Sequence, residues 1–109
     1  MLIVLYQFTV KEGYEKIFET SWAAVTEGIK RTKGSLGSRL HTTEDPLVYI
    51  AYAQWPSKEV LAASSAGSGM SSEFDANELE ALRIMKESAS KIETLHKMTV
   101  CDDKLVEPF

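Results

Sequence analysis

Two segments of this chain are apolar on both sides of a strand. Residues 2–10, LIVLYQFTV, place Leu2, Val4, Tyr6 and Phe8 on one side and Ile3, Leu5 and Gln7 on the other. Residues 47–55, LVYIAYAQW, set Leu47, Tyr49, Ala51, Ala53 and Trp55 against Val48, Ile50, Tyr52 and Gln54. A sheet with one face in water shows apolar residues alternating with polar ones, and these segments do not, so each must be covered twice.

The segments between them alternate strand and helix signals. From about Glu12 to Lys33, Phe18, Trp22, Val25 and Ile29 recur at helical spacing, and Gly34 follows the basic residues Lys30, Arg31 and Lys33 as a left-handed stop. Residues 35–43 alternate Leu36, Ser38 and Leu40 against Gly37, Arg39 and His41, and Glu44-Asp45-Pro46 supplies a turn into residues 47–55. Ser57 after Pro56 caps a short helix running to about Ala66. The serine- and glycine-rich stretch 62–75 reads as a mobile loop. Asp75 with Glu78 forms a capping pair for a second long helix, in which Leu79, Leu82, Met85, Ala89 and Ile92 make an apolar stripe. Thr94 to Cys101 returns to strand composition, before a charged tail at 102–109.

The order is β-α-β-β-α-β, which predicts an α+β, ferredoxin-like fold with a four-stranded antiparallel sheet and its helices on one face. At 109 residues the chain is expected to form a single domain, with its core in residues 2–101. One set of helices covers one face only. The remaining apolar face predicts a homodimer in which two open sheet faces meet.

Charge and composition remove several classes of function. Sixteen acidic against twelve basic residues give a net charge of −4, without the cationic patch that nucleic-acid binding requires. The apolar run from Leu2 to Val10 has no basic segment before it and is broken by Gln7 and Thr9, so neither a signal peptide nor a membrane span is expected. The lone Cys101 permits no internal disulfide and fits a reducing compartment, which places the protein in the cytoplasm. His96 and Cys101 fall on opposite faces of a strand, and no zinc spacing occurs. Gly67-Ser68-Gly69 lacks the lysine and the strand-to-helix setting of a phosphate loop.

A helix carrying Trp22, then KGSLGSRLHTTEDP at 33–46 and YIAYAQWPSKEV at 49–60, resembles the antibiotic biosynthesis monooxygenase family of dimeric α+β barrels over roughly residues 2–66. The resemblance implies a monooxygenase that oxidises a small aromatic, phenolic or quinol substrate with dioxygen, using no cofactor: neither a flavin nor a dedicated metal site. Electron-rich phenols and quinols, once deprotonated, deliver electrons to dioxygen themselves, so the protein need only desolvate, orient and stabilise the anion. It also implies that Trp55 lines the ligand cavity; the 62–75 loop is expected to roof that pocket as a lid. Haem-degrading members pair that tryptophan with a first-strand Asn and a helical His. Here Tyr6 stands on the strand and no His occurs from 57 to 92, which argues against haem degradation. Places that carry polar groups in the aromatic-polyketide oxygenases match Ala51 and Leu61. The alternative is therefore a non-catalytic barrel that binds a small aromatic or a protein partner.

Candidate site residues follow from these readings. Trp55 is either a cavity wall that stacks on a planar ligand or a core anchor for the short helix. Tyr6, sharing a face with Phe8 and Val4, offers a hydroxyl either to a ligand oxygen or to a backbone carbonyl. Tyr49 and Phe8 complete the candidate substrate-binding set, whereas Tyr52 faces the other way, toward a dimer partner. Histidine is the residue type whose reference pKa lies near neutrality, and His41 and His96 are the two in the chain; His41, with Tyr6, is the candidate for catalytic proton transfer. Each histidine has a structural or dimer-contact reading as well. Trp22 lies mid-stripe and reads as core.

Overall fold

A computed structural model describes residues 1–64 and 73–105. Its elements are β1 (Leu2–Val10), α1 (Glu15–Lys33), β2 (Gly37–Thr42), β3 (Val48–Trp55), α2 (Lys58–Ser64), α3 (Ala76–Ser88) and β4 (Ala89–Thr99). The four strands form one antiparallel sheet in the order β2-β3-β1-β4, the ferredoxin-like arrangement.

Local signals terminate most elements where the residues demand it. Gly34 closes α1 at φ 78°, a conformation that costs glycine no Cβ clash. The β2–β3 turn is held by Asp45, whose carboxylate accepts from the Leu47 amide at 2.9 Å. Ser57 Oγ accepts from the Val60 amide at 3.2 Å and starts α2. Asp75 and Glu78 form a reciprocal capping box at the start of α3.

Two boundaries depart from the sequence expectation. The helical stripe predicted to reach Ile92 stops at Ser88, and Ala89 and Ile92 belong to β4, which starts five residues before the predicted Thr94. No glycine marks that stop. The Ser88 hydroxyl turns back onto the Ile84 carbonyl at 2.7 Å, the Ser88 carbonyl accepts from the Lys11 amide at 2.9 Å, and Val10 pairs with Ala89. The free edge of β1 thus draws the chain out of the helix. Within the predicted 62–75 loop, Ala62–Ser64 instead continue α2, and Phe74, just before α3, is buried in the core. Residues 65–72, the rest of the proposed lid, lie outside the described residues.

The helices cover one face of the sheet. There Phe8, Val10, Tyr49 and Ala51 meet Phe18 and Val25 of α1, and Ala81 and Met85 of α3. Leu2, Val4, Ala53 and Trp55 form a second cluster, joined by Val60 and Leu61 of α2. Tyr6 and Ile29 pack against both clusters. On the opposite face Leu5, Val48, Ile50 and Tyr52 are half-buried and belong to neither cluster. Among the described residues no helix is long and apolar enough to cross a membrane.

Candidate functional site

Strand register determines which candidates meet. In the β1–β3 pair Leu2 opposes Trp55, Val4 opposes Ala53, Tyr6 opposes Ala51 and Phe8 opposes Tyr49. Side chains of opposed residues share a face, so Tyr6, Phe8, Tyr49 and Trp55 all point toward the helices. His41 does not. It pairs with Ile50, one residue out of phase with Ala51, and so lies on the open face, exposed, with Nδ1 3.1 Å from the Ile50 carbonyl oxygen. His96, opposite Leu5, is on that same open face at the far edge of the sheet. The two catalytic candidates, His41 and Tyr6, thus lie on opposite faces of the sheet.

The four remaining candidates divide into two groups. Phe8 and Tyr49 flank Phe18, each with its ring centroid 5.0 Å from that ring, in the tilted geometry that aromatic pairs favour. Tyr49 is 3% exposed and its hydroxyl donates to Glu19 Oε2 at 2.7 Å. Burial first, then the carboxylates of Glu19 and Glu15, push this phenol up to about 12. It is a satisfied core tyrosine. Glu19 was missed as its partner by reading α1 as an apolar stripe alone; the signal was the Glu15–Glu19 pair one turn apart beside Phe18.

Trp55 and Tyr6 form the other group. Trp55 is 4% exposed, and its indole Nε1 is buried with no hydrogen-bond partner among the described residues. Everything packed in its cluster is aliphatic except Tyr6. Burial raises the Tyr6 pKa, so at neutral pH it is a protonated donor. The strand between them is lined on this face by Val4, Ala53 and Ala51, two of which carry a single methyl. Two polar donors on a small-residue apolar floor suit a flat ligand with an oxygen acceptor. Among the described residues no cluster of three or more His, Cys, Asp or Glu could hold a metal ion.

Two cavities formed by described residues lie elsewhere. One, of about 350 Å³, runs between α1 and α3 past Ile17, Ala81 and Ile84. The other, about 370 Å³, lies between α1 and the edge strand β2. Neither is walled by Trp55, Tyr6, Tyr49 or Phe8.

A helix-covered antiparallel sheet with an aromatic at the end of its third strand defines the class to which the chain can be assigned. Residues 1–72 match the family model for antibiotic biosynthesis monooxygenase, and the chain belongs to that family. Solved structures agree in fold. SnoaB, a cofactor-independent oxygenase from Streptomyces nogalater, superposes with a TM-score of 0.64 at 15% identity, over 94% of this chain and 97% of that one. An antibiotic biosynthesis monooxygenase superposes at 0.64 with 16% identity, over 94% of this chain and all of the other (100%). A Deinococcus radiodurans protein reaches 0.69 with 8% identity, over 99% of this chain and 100% of its own. No curated protein sequence matches this chain significantly.

Proposed function

We propose that the chain is a cofactor-independent oxygenase for a small phenolic, anthrone-like or quinol substrate, bound on the Trp55–Tyr6 face. The observation that carries the reading is the buried indole N–H of Trp55, left without an acceptor among the described residues in an aliphatic cluster. An orphan donor of this kind costs about 1–3 kcal/mol, a cost that a ligand oxygen would remove. Family membership supports the oxygenase chemistry. With Trp55 N–H and Tyr6 O–H donating to the substrate oxygen, the phenolate or enolate form is stabilised and ring electron density rises. For an anthrone methylene the balance closes without a reductant: one atom of dioxygen becomes the carbonyl oxygen, the other leaves as water, and the substrate supplies all four electrons. His41 takes no part in this scheme, because it is on the other face.

A second copy of the chain covers the open face in this reading. Leu5, Val48, Ile50 and Tyr52 lie there beneath no described helix, and a homodimer would bury them. The expected compartment is the cytoplasm.

The test is dioxygen consumption with a panel of anthrones and hydroquinones, for the native chain, Trp55→Phe and Tyr6→Phe. Both variants should lose most of the activity. Equal rates in all three would remove the site from the reaction. The aliphatic character of Ala51 and Leu61 favours one rival, a barrel that binds an aromatic without changing it. A planar compound retained in native mass spectrometry, and unaltered by oxygen, would establish that rival.

A further inference from the structure

Strand β4 does not alternate simply along its length. Tyr6 of β1 pairs with Thr94, but its neighbour Leu5 pairs with His96, so Leu95 is an extra residue inserted into the ladder. Unbroken alternation from Thr94 would set His96 on the helix-side face and Lys97 on the open one. The bulge exchanges them. His96 opposes Leu5 on the open face, and Lys97 opposes Val4 on the side that carries Tyr6 and Trp55. Bulges at sheet edges re-aim single side chains in this way.

The side chain so re-aimed is the one formal charge that the four described strands place on the helix-side face. There β1 and β3 supply apolar residues, tyrosines and Trp55, β2 supplies Ser38, Leu40 and Thr42, and β4 otherwise supplies Ala89, Ile92, Thr94 and Thr99. Arg39, His41, Lys91, Glu93 and His96 all project from the open face. Lys91 pairs with Glu93 at 3.6 Å and Lys104 with Asp102 at 3.0 Å, whereas Lys97 has no carboxylate partner among the described residues. Leu2 and Val4 are buried, yet Thr94, Lys97 and Thr99 beside them are exposed, and no β4 residue joins either core cluster. Among the described residues, β4 is thus the open flank of the Trp55–Tyr6 floor.

Sheet spacing sets what this ammonium can read. Lys97 stands one strand from Val4 and about 7–8 Å diagonally from Tyr6, while Trp55, two strands away and one pair further along, is about 12 Å off. An oxygen held by Trp55 N–H and Tyr6 O–H is therefore out of its reach, but the far edge of a two-ring ligand is not. Resting on the Trp55–Tyr6 reading, we propose that Lys97 is the specificity-determining residue of that site, selecting a phenolic substrate that carries a carboxylate at the end remote from the reacting oxygen. The ammonium holds the carboxylate at the β4 rim, and the Thr94 and Thr99 hydroxyls flank it on the same face.

Calorimetric titration of the full chain with 6-hydroxy-2-naphthoate and with its neutral amide tests the assignment without depending on turnover. The acid should bind about tenfold more tightly than the amide, as for a hydrogen bond to a charged group. Lys97→Gln should bring the acid down to the affinity of the amide and leave the amide unchanged, and Lys97→Arg should keep the preference. Lys91→Gln, on the other face, should have no effect. Trp55→Phe should weaken acid and amide alike and preserve their ratio. Lys97 is exposed, so its variants test the contact in a folded protein. Equal affinity of the native chain for both compounds, with both weakened by Trp55→Phe, would overturn the role of Lys97 and leave the site standing. So would a preference that survives Lys97→Gln. Binding of neither compound, or binding indifferent to Trp55→Phe, would overturn the site and this assignment with it.

Discussion

The Tyr49 hydroxyl reaches across from β3 to α1 and donates to Glu19 Oε2 at 2.7 Å. The bond ties the sheet to the helix above it beside the tilted rings of Phe8 and Phe18. Tyr49→Phe should therefore cost only about 0.5–1.5 kcal/mol in chemical denaturation, because exposed Glu19 is rehydrated when its partner goes.

The same pair gives a pH signature. The folded state holds the Tyr49 proton more tightly than the unfolded chain, with a pKa of about 12 against the ordinary 10.0. That contribution to stability is complete below the unfolded value and is lost as pH rises through the folded one. Native protein should lose stability between pH 10 and about 12 more steeply than Tyr49→Phe. Parallel slopes in urea melts across that window would remove the hydrogen bond as the cause.

Trp55 should respond differently to two substitutions. Trp55→Ala opens a cavity under α2 and should cost about 3–5 kcal/mol. Trp55→Phe loses some packing volume but also removes the orphan N–H, and the two effects offset to within about 1 kcal/mol. Thermal melts of the two variants check this directly, and a loss of several kcal/mol in Trp55→Phe would mean that the indole N–H is already satisfied.

Gly28 of α1 sits against Glu78 of α3 and the buried Phe74. A Cβ there would stand 3.0 Å from Glu78 Cδ and 3.2 Å from Phe74 Cε1. Glu78 is held in place by the capping box and by Arg31, so it yields poorly. Gly28→Ala should destabilise the protein by about 1–3 kcal/mol. This is opposite to the gain of about 1 kcal/mol that alanine brings to a free helix. A raised melting temperature would show that Glu78 moves aside.

Ile50 reports on the open face. It is half-buried in the single chain, so Ile50→Lys should barely alter the fold of a monomer. If two copies meet there, it introduces two desolvated charges into their interface. Sedimentation should show the native chain as a dimer and the variant as a monomer at micromolar concentration. A native chain that sediments as a monomer would count against the pairing.

Strand and helix order, the two-faced apolar strands, the glycine stop of α1 and the Asp75–Glu78 box were all legible in the residues, because each depends on local backbone chemistry or on simple periodicity. The period-2 alternation likewise placed Tyr6, Phe8, Tyr49 and Trp55 on one face. What tertiary structure alone decided were relations between distant segments. The end of α3 at Ser88 came from pairing with β1, which no local signal encodes. Register placed His41 opposite Ile50 and so away from Tyr6, since a one-residue offset exchanges faces. Packing left Trp55 N–H without a partner among the described residues while giving Tyr49 the carboxylate of Glu19. Hydrogen-bond satisfaction is a property of three-dimensional neighbours, and for that reason the candidate site had to be read from the fold.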